Sequence, residues 1–214
     1  DILVEMLNGV NIDAVMGDFG SQFKGGKEDP LIHFYAEFLK IYDMDQKKDR
    51  GVWYTPRSIA DFIVKRVHEG LISEHNLPLG LADSSTSIIK GKKWHRVIIL
   101  DPALGTGTFL CSAIRIINKT MKAHWEDEGR NKSEIVELWN EYVDESLIPR
   151  LVGIEIMMAP YTIAHINITL QLKLTGYTRN SEVRLNVVLA NTLDPILSIA
   201  DFIPGYLSKE AELS

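Results

Sequence analysis

Apolar and polar positions change period several times along the chain, and each change predicts an element. Residues 1–28 mix apolar residues with Gly17, Gly20, Gly25 and Gly26, which interrupt any long helix and mark a lead-in or linker. From Pro30 the spacing turns helical: Leu31, Phe34, Tyr35, Phe38, Leu39 and Tyr42 form one apolar stripe, read as helix core. The run 43–50 is charged and reads as solvated. Thr55 then suits a helix N-cap and Pro56 the first helical position. Ile59, Phe62, Ile63, Val67 and Leu71 complete a second amphipathic helix. Residues 76–93 are rich in Ser, Pro, Gly and Lys and read as a loop.

Three short apolar runs carry the other signature. Residues 96–100, 151–156 and 184–190 predict buried strands, and the turn signal 191–195 follows the last of them. Helical spacing separates the runs: from Thr108 to about His124, from a capping Ser133 to about Glu145, and over 159–174. Strands alternating with helices predict an α/β fold with a parallel sheet flanked by helices. There is no internal repeat and no low-complexity tract.

Composition narrows the class. At 214 residues the chain is one domain with room for a small appendage. Hydrophobic residues at 45% and charged residues at 24% exclude disorder and a collagen-like chain. The single cysteine, Cys111, excludes an internal disulfide and a cysteine-based zinc site. A net charge of -6 argues against autonomous DNA binding, which usually draws on a basic surplus. No apolar run approaches a membrane span and the acidic N-terminus is no signal peptide, so a cytoplasmic location is expected. A chain that opens on Asp1 without Met reads as a piece of something longer.

The most informative segment is 97–110, Val-Ile-Ile-Leu-Asp-Pro-Ala-Leu-Gly-Thr-Gly-Thr-Phe-Leu. A buried strand ends, Asp101 sits at its carboxyl edge, and a glycine turn opens a helix. In open α/β sheets that crevice is where ligands bind. Gly105 and Gly107 let the backbone approach a ligand closely. A dinucleotide fingerprint wants a third glycine where Leu110 stands, and a P-loop wants Gly-Lys-Ser/Thr, which is absent. An acid at the strand end suits a cationic ligand group better than a pyrophosphate. S-adenosyl-L-methionine carries an ammonium and a sulfonium and no phosphate.

On these residues the chain resembles the amino-group DNA methyltransferases of restriction–modification systems, closest to the adenine-N6 enzymes of type I and fused type II systems. Residues 51–56, with Tyr54-Thr55-Pro56, resemble that family's motif X, and 101–110 its motif I. Gly153-Ile154-Glu155-Ile156 followed by Met158-Ala159-Pro160-Tyr161 resembles motif II, and 188–193 motif III. The resemblance implies a partial Rossmann-like S-adenosylmethionine-dependent methyltransferase fold with a helical N-terminal extension. Residues 1–50 would be linker and helical segment, and 51–214 the cofactor-binding part of the methyltransferase domain.

The resemblance also implies roles. Asp101 would hold the methionine ammonium, and the backbone of Pro102, Ala103, Gly105, Thr106 and Gly107 would wrap the methionine and ribose. Glu155 would accept both ribose hydroxyls, and Ile156 would pack on the adenine. Asn191 stands where the family often has Asp on the cofactor adenine amine. Tyr54, Thr55 and Pro56 would close over the methionine end. The partner implied is DNA, reached through downstream domains, with nuclease, helicase or specificity domains or subunits as companions and no membrane.

Two features depart from the family. The 133–145 helix is an insertion between motifs I and II. Motif IV, Asn/Asp-Pro-Pro-Tyr/Phe, is absent: none of the eight prolines adjoins another. That motif accepts hydrogen bonds from the target amine and favours the charge it develops, so no catalytic residue is assigned and the motif is expected beyond residue 214. The flipped-base pocket is equally unseen.

Plainer readings stand beside these. Glu155 also suits capping the next helix, Tyr54-Thr55-Pro56 a helix start, and Asn191 a turn. Cys111 reads as core filling. Lys90, Lys92, Lys93, His95 and Arg96 read as a solvated loop before phosphate contacts. The six histidines lack metal-ligand spacing, so no metal is expected. Rival functions are methylation of an amine or amide in RNA or protein, and a non-catalytic cofactor-binding or scaffold module of a restriction complex.

Overall fold

The computed structural model describes residues 55–89, 91–179 and 184–193. All lie in Tyr54–Ser214, one of two units into which the chain divides. The linker 1–28, the stripe at 31–42, Tyr54 and everything beyond Leu193 lie outside the described residues.

The first described helix, α1 (Arg57–His75), starts one residue later than the sequence predicts. Pro56 is its N-cap, with an extended ψ of 136°, and no side chain caps it, so Thr55 precedes the cap position. Asn76 ends it with a left-handed φ of 53°, a conformation Asn tolerates, and the next residue, Leu77, donates its N–H to Leu71 O at 3.2 Å. Of the predicted apolar stripe only Leu71 packs, partly buried, against the core. Phe62 is 65% exposed, and Ile59, Ile63 and Val67 are exposed as well, while the buried residues of the helix are Ala60 and Val64, outside that stripe. Periodicity shows that a face is apolar without showing what covers it.

The predicted loop 76–93 holds a 3-10 turn (Gly80–Ala82) and an antiparallel hairpin, β1 (Thr86–Ile89) with β2 (Lys92–His95). Gly91, just before β2, holds φ +78°, the left-handed geometry that tight hairpin connections require. Strands of four residues, Thr-Ser-Ile-Ile and Lys-Lys-Trp-His, give too short an alternation to read. The basic run is therefore mostly strand.

The parallel sheet forms as the alternation predicts. Its strands β3 (Ile99–Asp101), β4 (Leu151–Glu155) and β5 (Asn186–Leu189) pair in that order, with Asp101 opposite Gly153 and Glu155 opposite Leu189. β3 is an edge strand among the described residues, so its apolar run is not buried throughout: Ile98 and Leu100 are exposed. They line an apolar groove of about 410 Å³ with Ile63, Val67, Phe109 and Asp101.

Between the strands run α2 (Thr108–Asp127), α3 (Lys132–Tyr142), a π-turn (Val143–Leu147), the short α4 (Ile148–Arg150) and α5 (Met158–Leu174). Asn131, not Ser133, caps α3: its side chain accepts the N–H groups of Ser133 and Glu134, and Glu134 reaches back to the Asn131 N–H in a capping box. The core joins Leu110, Ile114 and Ile117 of α2 with Trp139, Leu147, Ile168 and Val187.

One buried cation ties this core together. Arg150 is 0% exposed and donates to the carbonyls of Ser146, Leu81, Asp83 and Val97 and to the Tyr142 hydroxyl. That hydroxyl donates in turn to Ala82 O at 2.7 Å. Burial pushes the Tyr142 phenol up to about 12. The network fixes the 3-10 turn and the entry to β3 against the entry to β4.

Candidate functional site

Three side chains singled out from the sequence stand at the carboxyl ends of three adjacent parallel strands. Asp101 ends β3, Glu155 ends β4, and Asn191 follows β5 by two residues. The segment 101–107 crosses in front of them, and its path is fixed residue by residue.

Asp101 Oδ1 accepts the Ala103 N–H at 3.2 Å, turning the chain away from the sheet. Leu104 then turns inward, buried, and donates its N–H to Ile154 O at 2.9 Å. Gly153 makes this possible: a Cβ there would stand 2.8 Å from Leu104 Cδ2. Gly105, at φ +56°, donates its N–H to Glu155 Oε2 at 2.8 Å. Gly107, at φ +83°, donates to Leu104 O at 2.9 Å and serves as the N-cap of α2. From the far side Thr192 Oγ1 donates to Pro102 O at 2.9 Å, and Asn167 Nδ2 to Thr106 O at 2.9 Å.

Glu155 is 8% exposed and each of its oxygens is engaged: Oε2 by Gly105 and Oε1 by the Met157 N–H at 2.8 Å. A carboxylate offers about four acceptor positions. Two backbone bonds fix its plane and leave one position on each oxygen. The plainer helix-start role and a ligand role are therefore compatible, since Met157 is the N-cap residue of α5.

Asp101 is the electrostatically uneasy member. Its Oδ2 is buried and has no hydrogen-bond partner among the described residues. Burial holds its pKa above the ordinary value of 3.8; the Ala103 N–H works against that, and the neighbouring Glu155 charge adds to it. A cation beside Oδ2 would relieve both the missing bond and the like-charge contact.

The remaining predicted residues divide. Ile156 is 64% exposed beside Glu155, an apolar surface at the crevice. Pro102 and Ala103 are exposed, and Thr106 is half-buried in the loop. Asn191 is half-buried and its Oδ1 accepts the Leu193 N–H at 3.1 Å, the turn role. Thr55 and Pro56 stand at the amino end of α1. That helix is tied to α2 by Asp61, whose Oδ1 accepts Ser112 Oγ at 2.6 Å and Arg115 at 2.5 Å. Burial alone would raise the Asp61 pKa, but these bonds and the Arg115 and Arg57 charges hold it below 3.8. These contacts do not bring Thr55 or Pro56 to the glycine loop. Cys111 is buried, and no described group of His, Cys, Asp or Glu residues is arranged to hold a metal.

Sequence reasoning gave no role to Gly153, Thr192 or Asn167. Gly153 and Thr192 lie inside motif-like segments, where their neighbours drew attention. Asn167 had one signal: an amide in a helix whose flanking residues are apolar.

The chain belongs to the N-6 DNA methylase family, whose profile matches residues 26–195. No curated protein sequence matches it. Among solved structures, a DrdV–DNA complex determined by cryo-electron microscopy is 27% identical, with a TM-score of 0.51 over 77% of this chain and 13% of its own. The ATP-dependent Type ISP restriction-modification enzyme LlaBIII bound to DNA is 25% identical, TM-score 0.43, over 64% of this chain and 8% of its own. A nuclease-deletion mutant of the Type ISP restriction-modification enzyme LlaGI with a DNA substrate mimic is 22% identical, TM-score 0.45, over 86% and 15%. The chain thus spans 8% to 15% of these proteins.

Proposed function

We propose that this chain is the S-adenosyl-L-methionine-binding part of a DNA adenine-N6 methyltransferase of a restriction–modification system, with a Rossmann-like core. The observation that carries the reading is the meeting of Asp101, the 105–107 loop and Glu155 at the carboxyl ends of adjacent parallel strands, where such sheets bind ligands. Family membership supports the reaction class, and the DrdV–DNA complex supports DNA as the acceptor.

The donor set fits the cofactor. Asp101 Oδ2, buried and unpartnered, would take the methionine ammonium. Gly105 has open space where a Cβ would point, so its backbone would admit the methionine and ribose closely. Glu155, with its plane fixed, would accept the two ribose hydroxyls on its two remaining positions. Ile156 would cover one adenine face, and Asn191 would meet the adenine edge. Tyr54, Thr55 and Pro56 would close the methionine end. When bound, the sulfonium supplies an electrophilic methyl group. The chain's own part is orientation and electrostatics in a fixed cradle. The acceptor-holding Asn/Asp-Pro-Pro-Tyr/Phe segment does not occur in these 214 residues, so cofactor binding here is separate from methyl transfer. DNA recognition and any nuclease, helicase or specificity function belong to other parts of the parent protein or its partners. No described helix is long and apolar enough to cross a membrane.

The test is calorimetric titration with S-adenosylhomocysteine of wild type and Glu155→Ala. Saturable binding that weakens at least tenfold in the variant supports the reading, each lost charge-assisted bond costing about 1.5–3 kcal/mol. Equal affinity removes Glu155 from the site.

A further inference from the structure

We propose that Asn167 is a positioning residue: its side-chain amide pins the glycine loop so that the Gly105 N–H meets Glu155 and the two sides of the crevice move as one. The pin is a property of the protein alone; its consequence for affinity rests on the cofactor reading above.

Asn167 lies inside α5 and is 4% exposed, between Ala164 and Ile168, both 0% exposed. Asn is a mediocre helix former, because its amide competes with the backbone. A buried amide is costly unless it is hydrogen-bonded. A leucine of similar size would fill this place without that cost. The Asn167 amide does not bond back to its own helix. It reaches 61 residues away in sequence, donating from Nδ2 to Thr106 O at 2.9 Å. Its Oδ1 has no partner among the described residues, so the bond to Thr106 is what offsets the burial.

The bond falls where the loop has least control of its own. Thr106 stands between Gly105 at φ +56° and Gly107 at φ +83°. Glycine loses more conformational freedom on ordering than any other residue. The first half of the loop is held by the sheet side, through Leu104 N–H to Ile154 O and Thr192 to Pro102 O. The second half is gripped from α5: Asn167 holds the Thr106 carbonyl, and Ala164 Cβ stands 3.4 Å from where a Gly107 Cβ would be. The same helix begins three residues after Glu155, whose Oε1 is bonded at its N-cap. One rigid element is therefore bonded to Glu155 at its start, through the Met157 N–H, and carries the loop clamp two to three turns on. Shifting it moves the carboxylate and the amide it accepts together.

The test is amide hydrogen exchange by NMR in the full 214-residue chain, alongside titration with S-adenosylhomocysteine. In wild type, one Asn167 side-chain amide proton should exchange far more slowly than a solvent-exposed amide; free exchange of both overturns the pin whatever any variant does. In Asn167→Leu, the Gly105 and Gly107 amides should exchange at least tenfold faster while the buried Trp139 indole N–H is unchanged, and the dissociation constant should rise about tenfold. Asn167→Gln, which keeps a donor, should recover part of both. Loop exchange in the Leu variant equal to wild type overturns the proposal. A wild type that shows the slow proton but binds no S-adenosylhomocysteine sinks the cofactor reading and leaves the pin standing. Wild-type binding with an unaffected Leu variant sinks the pin alone.

Discussion

The Glu155 carboxylate accepts the Gly105 N–H at 2.8 Å across 50 residues of chain, and so joins the end of β4 to the loop leaving β3. The bond requires two acceptor oxygens in a fixed plane, because Met157 occupies the other. Glu155→Gln keeps the shape but leaves only one oxygen, so one of the two backbone N–H groups faces an amide NH₂. The expected outcome is a loss of about 1–3 kcal/mol in unfolding free energy, concentrated at this end of the sheet. Denaturant unfolding read against wild type checks it; an unchanged midpoint would show that the two bonds contribute nothing.

A second prediction concerns glycines with different tasks. Gly105 has room for a side chain but holds φ +56°, so Gly105→Ala should cost about 1–2 kcal/mol of backbone strain. Gly153 has no positive φ, yet a Cβ there meets Leu104 Cδ2 at 2.8 Å. Gly153→Ala should cost about 1–3 kcal/mol by overpacking, and trimming Leu104 to Ala in the same chain should recover part of that strain. A double-mutant cycle on melting temperature checks the coupling; strict additivity would separate Gly153 from Leu104.

The sequence made parts of this legible and hid others for physical reasons. Asp101 and Glu155 were readable because an acid that closes an apolar run has few explanations, and a parallel sheet carries all its strand ends to one side. The helices after them were readable by length. The β1–β2 hairpin was not, because its strands are short and polar. Phe62 and Ile59 belonged to a clear stripe, yet periodicity does not name a covering partner. Arg150 drew no reading from the sequence, because its burial depends on the carbonyls of Leu81, Asp83 and Val97, brought from elsewhere in the chain to join that of Ser146. Thr192 and Asn167 act across 90 and 61 residues, distances over which local pattern carries no information.

The third prediction follows from the raised pKa of Asp101. Relative to an unfolded chain, the fold favours the protonated form, so Asp101's contribution to stability falls as pH rises from 3.8 through its raised value. A bound ammonium reverses the preference, because it favours the carboxylate. Cofactor affinity should therefore increase with pH across that same acid window and level off above it, with release of a proton on binding inside the window. Calorimetry in two buffers of different ionisation enthalpy measures the proton count. Asp101→Asn should abolish the release; release that persists in that variant would assign the proton elsewhere.

The fourth prediction separates stability from binding. Arg150→Met fills the same space and strands four carbonyls, each worth about 1–3 kcal/mol when buried without a donor. Relief of guanidinium desolvation offsets part of this, and a net loss of about 3 kcal/mol is expected. Arg150 touches no residue of the crevice, so the folded fraction should bind S-adenosylhomocysteine as wild type does. A variant of full stability, or one stable but unable to bind, would contradict the structural role.

The central claim is that Asp101 and Glu155 define one ligand crevice for S-adenosyl-L-methionine. The most direct test is an experimental structure of the chain with S-adenosylhomocysteine. The account predicts the ammonium within hydrogen-bond distance of Asp101 Oδ2, both ribose hydroxyls on the Glu155 carboxylate, and the Gly105–Glu155 bond retained. A ligand seated elsewhere, for instance in the apolar groove between α1 and β3, or a ribose that leaves Glu155 untouched, would contradict it.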